Sequence, residues 1–189
     1  MARRGAGGRV RIIGGRLRGR QIEFGDAPGL RPTGDRIRET LFNWLAPRIA
    51  GSRCLDLFAG SGALGFEAAS RGAGQVVMLD RAPGTCRQLR VNAARLGLAD
   101  VRIEQADALP WLDRPAAESF HIAFIDPPFD AALQAVACRL LEGRGWLERD
   151  ARIYLEYPAG DPPALPANWE ILKQKHTGRV GYLLAGRGD

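Results

Sequence analysis

"LDLFAGSGALG", residues 55–65, is the stretch whose reading decides the fold. A short apolar run ends in Gly60, Gly62 and Gly65, spaced G-x-G-x-x-G, and a small-residue helical pattern starts at about Ala63. Glycine is required where a turn needs positive φ or where a ligand approaches the backbone closely, so the pattern predicts a strand, a tight loop and a helix opening on a ligand. Asp80 stands twenty residues after Gly60, at the end of the next apolar run, "QVVMLD". A carboxylate there can take both hydroxyls of a ribose. On spacing alone, NAD and S-adenosylmethionine fit equally well.

Outward from this loop, short apolar runs alternate with longer amphipathic ones. "CLDLF" and its helix are followed by "QVVMLD", "APGTCRQLRVNAARLG", "VRIEQ", "FHIAFID", a helix over about Ala131 to Leu141, "RIYLEY", and two strands in "WEILKQKHTGRVGYLLAG". Such alternation implies a parallel sheet with helices on both faces. The last two strands are joined around Gly178 by too few residues for a crossover, so they must be antiparallel. The expected fold is α/β and Rossmann-like: a mostly parallel seven-stranded sheet with a final antiparallel strand. Ligands of such sheets bind at the carboxyl ends of the strands, which puts Gly60, Asp80, Asp107 and Asp126 around one crevice.

The fourth of these ends is unusual. In "HIAFIDPPFD", residues 121–130, an apolar strand meets Asp126, two prolines and Phe129. The amine of a nucleobase is a poor nucleophile because its lone pair is delocalised into the ring. Two acceptors on its hydrogens, the Asp126 carboxylate and the Pro127 carbonyl, would draw the nitrogen toward tetrahedral geometry, and the prolines stiffen the turn that aims them. Phe129 would offer a flat face for an extruded base, at about 1 to 3 kcal/mol of stacking.

Charge is concentrated at one end. Residues 1–38 hold ten arginines against three acids, for +7, whereas the chain as a whole carries +6. A basic arm on a near-neutral body is the footprint of a phosphate-backbone binder. Residues 1–8 read as a flexible basic tail. "RVRIIGGRLRGRQIEF", residues 9–24, alternates basic and apolar positions around Gly14-Gly15 and predicts a hairpin turning there. In "RPTGDRIRETLFNWLAP", Thr33 is the expected N-cap of a helix carrying Ile37, Leu41, Trp44 and Leu45 and stopped by Pro47. Residues 9–50 are therefore expected to form an RNA-facing extension of a catalytic domain over 51–189.

Other classes find little support. No apolar run approaches membrane length and no secretory signal is visible, so a cytoplasmic, membrane-free protein is expected. Cys54, Cys86 and Cys138 lie apart from one another and from His121 and His176, so neither a disulfide framework nor a metal is expected. A dehydrogenase would need a second domain bearing a proton donor, and the residues after Asp126 leave little room for one.

These motifs resemble a known family. The form D-x-F-x-G-x-G over Asp56, Phe58, Gly60 and Gly62, with D-P-P-F at 126–129, is similar to the amino-methyltransferases of nucleic acids and glutamine side chains. "IIGGRLRGRQI", "RPTGDRIRETLFNWL", "DRAP" and "FIDPPF" narrow the resemblance to the bacterial 16S rRNA guanine-N2 methyltransferases of the D type, over about Arg11 to Leu184. The resemblance implies a class I methyltransferase fold and methyl transfer from S-adenosylmethionine to the exocyclic N2 of one guanine, in 16S rRNA or the small ribosomal subunit, by a monomeric enzyme. It places Asp56, Phe58, Gly60, Gly62, Asp80, Arg81, Asp107 and Ala108 at the cofactor, and Asp126, Pro127 and Phe129 at the guanine. Arg16, Arg18, Arg20, Arg31, Thr33, Arg36 and Arg38 would face RNA or line the entrance. The alternatives are a DNA adenine-N6 methyltransferase, which would use the same turn, and a non-catalytic RNA-binding module.

Overall fold

The computed structural model describes residues 7–25, 33–127 and 131–188. In chain order it contains β1 (Gly8–Arg11), β2 (Gln21–Phe24), α1 (Asp35–Leu45), β3 (Arg53–Asp56), α2 (Ala63–Ser70), β4 (Gln75–Asp80), α3 (Pro83–Leu96) and β5 (Val101–Gln105). There follow α4 (Ala108–Leu112), β6 (Phe120–Ile125), α5 (Ala131–Gly143), β7 (Leu147–Pro158), β8 (Trp169–Thr177) and β9 (Val180–Arg187).

Seven strands form one sheet in the order β5-β4-β3-β6-β7-β9-β8, parallel except for β9, which runs against both of its neighbours. This is the expected α/β sheet. The chain winds outward from β3 through β4 to β5, then returns to the other side of β3 with β6, so the winding reverses between β3 and β6. Ligands of such sheets lie at that reversal. The central strands are apolar on both faces because each face is covered. Ile122 and Phe124 pack with α1, α2 and α3, while Ala123 and Ile125 pack with Trp111, Trp146 and Leu141 on the opposite side.

The N-terminal hairpin forms, with Gly14-Gly15 inside the connection between its strands, but that connection is longer than a two-residue turn. β1 and β2 pair antiparallel, with Val10 opposite Ile22, and residues 12–20 form a long loop between them. Gly14-Gly15 is instead the point where this loop touches α2. Gly15 has φ +75°, and a Cβ there would lie 2.0 Å from the Ser70 carbonyl oxygen, so only glycine permits the approach. Arg16 N–H donates to that same carbonyl at 2.8 Å, satisfying the C-terminus of α2.

Thr33 also differs from expectation. The N-cap of α1 is Gly34, with no side-chain cap, and the Thr33 hydroxyl donates to Asp126 Oδ2 at 3.2 Å. Arg38, expected to face RNA or the entrance, is fully buried. Its guanidinium pairs with Asp35 at 2.6 Å and Glu67 at 3.4 Å, and it donates to the carbonyls of Thr33 and Arg11. The physical reason is Glu67: a carboxylate buried on α2 needs a cation, and Arg38 lies on the helix face turned toward it.

Removing one partner of a buried pair leaves the other charge uncompensated, at a cost of about 3–5 kcal/mol. Arg38→Ala is expected to lower the stability measured by urea unfolding by that amount. Arg36→Ala, on the exposed face of the same helix, should stay within about 0.5 kcal/mol of the wild type.

Candidate active site

The glycine loop is shaped from within. Gly60 and Gly62 have φ of 51° and 81°. A Cβ on Gly62 would sit 2.6 Å from the Phe66 ring and 2.7 Å from Leu89. Asp56, buried at the end of β3, accepts Gly65 N–H at 3.1 Å and also the backbone N–H of Phe58. Its carboxylate thus closes the loop on itself and acts on the crevice through the loop's shape. Desolvation, opposed by those two N–H groups and reinforced by the charge of Asp80, pushes its pKa up to about 7.

Asp80 stands at the rim of β4. One oxygen accepts Gly60 N–H at 3.1 Å and the other accepts Ala82 N–H at 2.8 Å. It therefore ties the glycine loop to the start of α3. Between these elements is a cavity of about 330 Å³ walled by Gly60, Ser61, Ala82, Gly84 and Thr85, and on its outer side by Glu23, Phe24 and Gly25. The hairpin's contribution to this cavity has no counterpart in the sequence pattern. β2 is held there by Asn92, which accepts Glu23 N–H at 3.2 Å and donates to the Glu23 carbonyl at 2.7 Å.

The remaining predicted residues follow the same rim. Arg81 is exposed just past β4, and Asp107 is exposed at the N-cap of α4 with Ala108 buried behind it. Phe58 is half-buried and packs toward the α4–α5 side. Asp126 and buried Pro127 end β6, next to β3. Phe129 and Arg31 lie outside the described residues. Arg16, Arg18, Arg20 and Arg36 are exposed.

Around Asp126 the structure adds residues that the motifs do not name. Glu156, on β7, lies one residue beyond Leu155, which pairs with Ile125. Tyr154 OH donates to Glu156 Oε1 at 2.8 Å. The Thr33 hydroxyl lies against both carboxyl groups. Burial, and then the neighbouring Glu156 charge, hold Asp126 well above the ordinary carboxylate range, and burial raises Glu156 as well. An acid in the apolar run "RIYLEY", at the same rim as Asp126, was the available signal for Glu156. Thr33, whose hydroxyl reaches Asp126, also lines a cavity of about 410 Å³ with Arg9, Arg11, Gln21 and Asp35, between hairpin and α1. No cluster able to hold a metal occurs among the described residues, and none of their helices is long and apolar enough to cross a membrane.

Comparison with known proteins agrees with this geometry. A family described as conserved hypothetical protein 95 matches residues 10–185. The ribosomal RNA small subunit methyltransferase D of Escherichia coli is 45% identical over 95% of this chain and 91% of its own length. The protein of that name from Haemophilus influenzae is 45% identical over 95% of this chain and 94% of its own. The chain belongs to the ribosomal RNA small subunit methyltransferase D family. Within this family, the solved structure of yhhF from Escherichia coli superposes with a TM-score of 0.88 at 44% identity, covering 96% of this chain and 99% of that one.

Because Asp56 holds in the folded state a proton that the unfolded chain releases above its ordinary value of 3.8, stability falls as pH rises from about 4 to about 7 and then levels off. Asp126 and Glu156, also raised, add in the same direction. Asp56→Asn is expected to flatten this slope in urea unfolding measured from pH 5 to 8. Each pKa unit corresponds to about 1.4 kcal/mol, so the change amounts to a few kcal/mol at pH 8. An unaltered slope would show that Asp56 does not carry it.

Proposed function

We propose that the enzyme methylates the exocyclic N2 amine of one guanine in 16S rRNA. At the coarser level it is an S-adenosylmethionine-dependent methyltransferase of small-subunit ribosomal RNA, as its family membership entails. The observation that carries the finer reading is Asp126-Pro127 just past the end of β6, beside the glycine crevice, with Asp126 bonded to Thr33, which lines an opening flanked by Arg9 and Arg11.

The residues present fit the cofactor. Gly60 and Gly62 supply the loop's positive-φ turns, Asp80 offers a carboxylate to a ribose, and Arg81, Asp107 and Ala108 follow along the rim toward the adenine end. Asp56 keeps the loop in its strained turns, and Phe58 closes its inner side. S-adenosylmethionine supplies an electrophilic methyl group on sulfur.

The chain's own residues then act on the amine. Asp126 and the Pro127 carbonyl accept its two hydrogens and expose the nitrogen lone pair; a hydrogen bond to a charged group is worth about 1.5–3 kcal/mol. The methylated amine must lose one proton, which would pass to Asp126. Its desolvated carboxyl has a raised affinity for that proton. Phe129 supplies the stacking face. Residues 9–50 form the RNA-facing part, with Arg16, Arg18, Arg20, Arg31 and Arg36 toward phosphate and Thr33 at the entrance.

Asp126→Ala is expected to keep S-adenosylhomocysteine affinity, measured by calorimetry, within about threefold. Transfer of labelled methyl to small-subunit RNA should fall on the order of 100-fold or more. Mass spectrometry of the RNA product locates the modified base; methyl on an adenine N6 would replace the guanine reading. Changing Arg16, Arg18 and Arg20 together to Ala should weaken RNA binding and make its salt dependence shallower by about 0.7–0.9 for each phosphate that is no longer neutralised. An unchanged slope would remove these arginines from the RNA surface.

A further inference from the structure

Two carboxyl groups, Asp126 just past the end of β6 and Glu156 on the neighbouring β7 one residue beyond the partner of Ile125, lie on one side of the crevice, and only the first has a part in the reaction described so far. Glu156 is 9% exposed and is held from three directions. Tyr154 OH donates to its Oε1 at 2.8 Å, the Thr33 hydroxyl lies between it and Asp126, and the Gln134 amide on α5 donates to its backbone carbonyl.

The contrast with Glu67 is informative. That buried carboxylate sits between two arginines, Arg38 and Arg71, and accepts two backbone N–H groups. Among the described residues, no cation acts on Asp126 or Glu156; each is stabilised only by hydroxyl donors. Fixed buried acceptors without a cation match a ligand that brings donors. The side-chain geometry also leaves Glu156 little freedom to turn away.

Nucleobase edges differ in what stands beside the amine. Adenine and cytosine place a ring-nitrogen lone pair next to it, an acceptor facing an acceptor if a carboxylate is there. Guanine alone places a ring N–H, at N1, beside its amine at N2. We propose that Glu156 reads the base: its carboxylate accepts guanine N1–H while Asp126 holds the N2 amine, so that the pair selects guanine against adenine and cytosine. This rests on the guanine-N2 reading above and gives it a specificity determinant. Tyr154 and Thr33 are positioning residues that aim the two acids.

The test compares kcat/KM for small-subunit RNA carrying guanine at the target with the same RNA carrying 2-aminopurine there. 2-Aminopurine keeps the amine but presents a lone pair at N1. The wild type should prefer guanine by about 10- to 100-fold, as a well-made base contact does. In Glu156→Gln the side-chain amide can donate to that lone pair while its oxygen still accepts from Tyr154. The preference should then shrink to about threefold or reverse, with melting temperature and S-adenosylhomocysteine affinity unchanged. Any loss from the missing oxygen of 2-aminopurine affects both enzymes alike and cancels in the comparison. Glu156→Asp, which keeps the charge, should be slower but retain the preference, and it serves if the Gln variant does not fold. Equal preference in wild type and Glu156→Gln, or its loss in Glu156→Asp, would overturn the role of Glu156. Absence of any N2 methylation by the wild type would instead overturn the reading on which it rests.

Discussion

The buried carboxylate of Glu67 is the interaction on which the arrangement of arm and catalytic sheet depends. Sitting in the middle of α2, it accepts Ile13 and Gly14 N–H at 2.9 and 2.8 Å from the hairpin loop, Arg38 from α1 and Arg71 one turn on. Three separate parts of the chain therefore meet at one charge. A carboxylate placed this deep is costly unless every lone pair is used, and here both oxygens are engaged by N–H donors. Satisfying it fixes where the hairpin and α1 can lie. Because α2 also begins at the glycine loop, the same helix that shapes the crevice at one end anchors the basic arm along its length.

Burial has a second, opposite use at the rim. Glu67 is neutralised by cations, whereas among the described residues none acts on the desolvated Asp56, Asp126 and Glu156, and their proton affinities rise accordingly. Asp56 resolves this locally by capping the backbone of its own loop. Asp126 and Glu156 share a hydroxyl from Thr33, which comes from the arm rather than the sheet. The acceptors are thus oriented by fixed hydroxyl donors. Desolvated acids lower stability at the rim, and the two apolar layers offset that loss.

Much of the fold was legible because its signals are local. Strand–helix alternation, the glycine spacing and the short link at Gly178 each follow from neighbouring residues, and the sheet has the expected strands and single reversed member. What escaped were long-range matches. Gly14-Gly15 reads as a two-residue turn, yet Gly15 is required by a carbonyl far along the chain, at Ser70. Thr33 has the chemistry of an N-cap, but its hydroxyl is taken by Asp126, 93 residues on. Arg38 repeats with Arg36 in a basic stretch, and only the position of Glu67 separates a buried arginine from an exposed one. Glu156 could have been singled out as an acid within an apolar strand, but no proline turn marks it as one marks Asp126.

The cavity beside the glycine loop is walled by residues from both sides of residue 50. Its inner wall is the glycine loop and its floor the first turn of α3, but its outer wall is Glu23, Phe24 and Gly25. Those residues are held by Asn92 and by Arg95, which donates to the Gln21 carbonyl at 2.7 Å, both on α3. The enclosed volume therefore exists only while the hairpin is docked. Any ligand that fills it contacts both parts and binds the docked state in preference to the undocked one, so occupancy and docking of the arm stabilise each other by mass action. The arginines at the loop between β1 and β2 ride on the same hairpin. The geometry that closes the cavity thus also sets where those exposed arginines stand relative to the crevice.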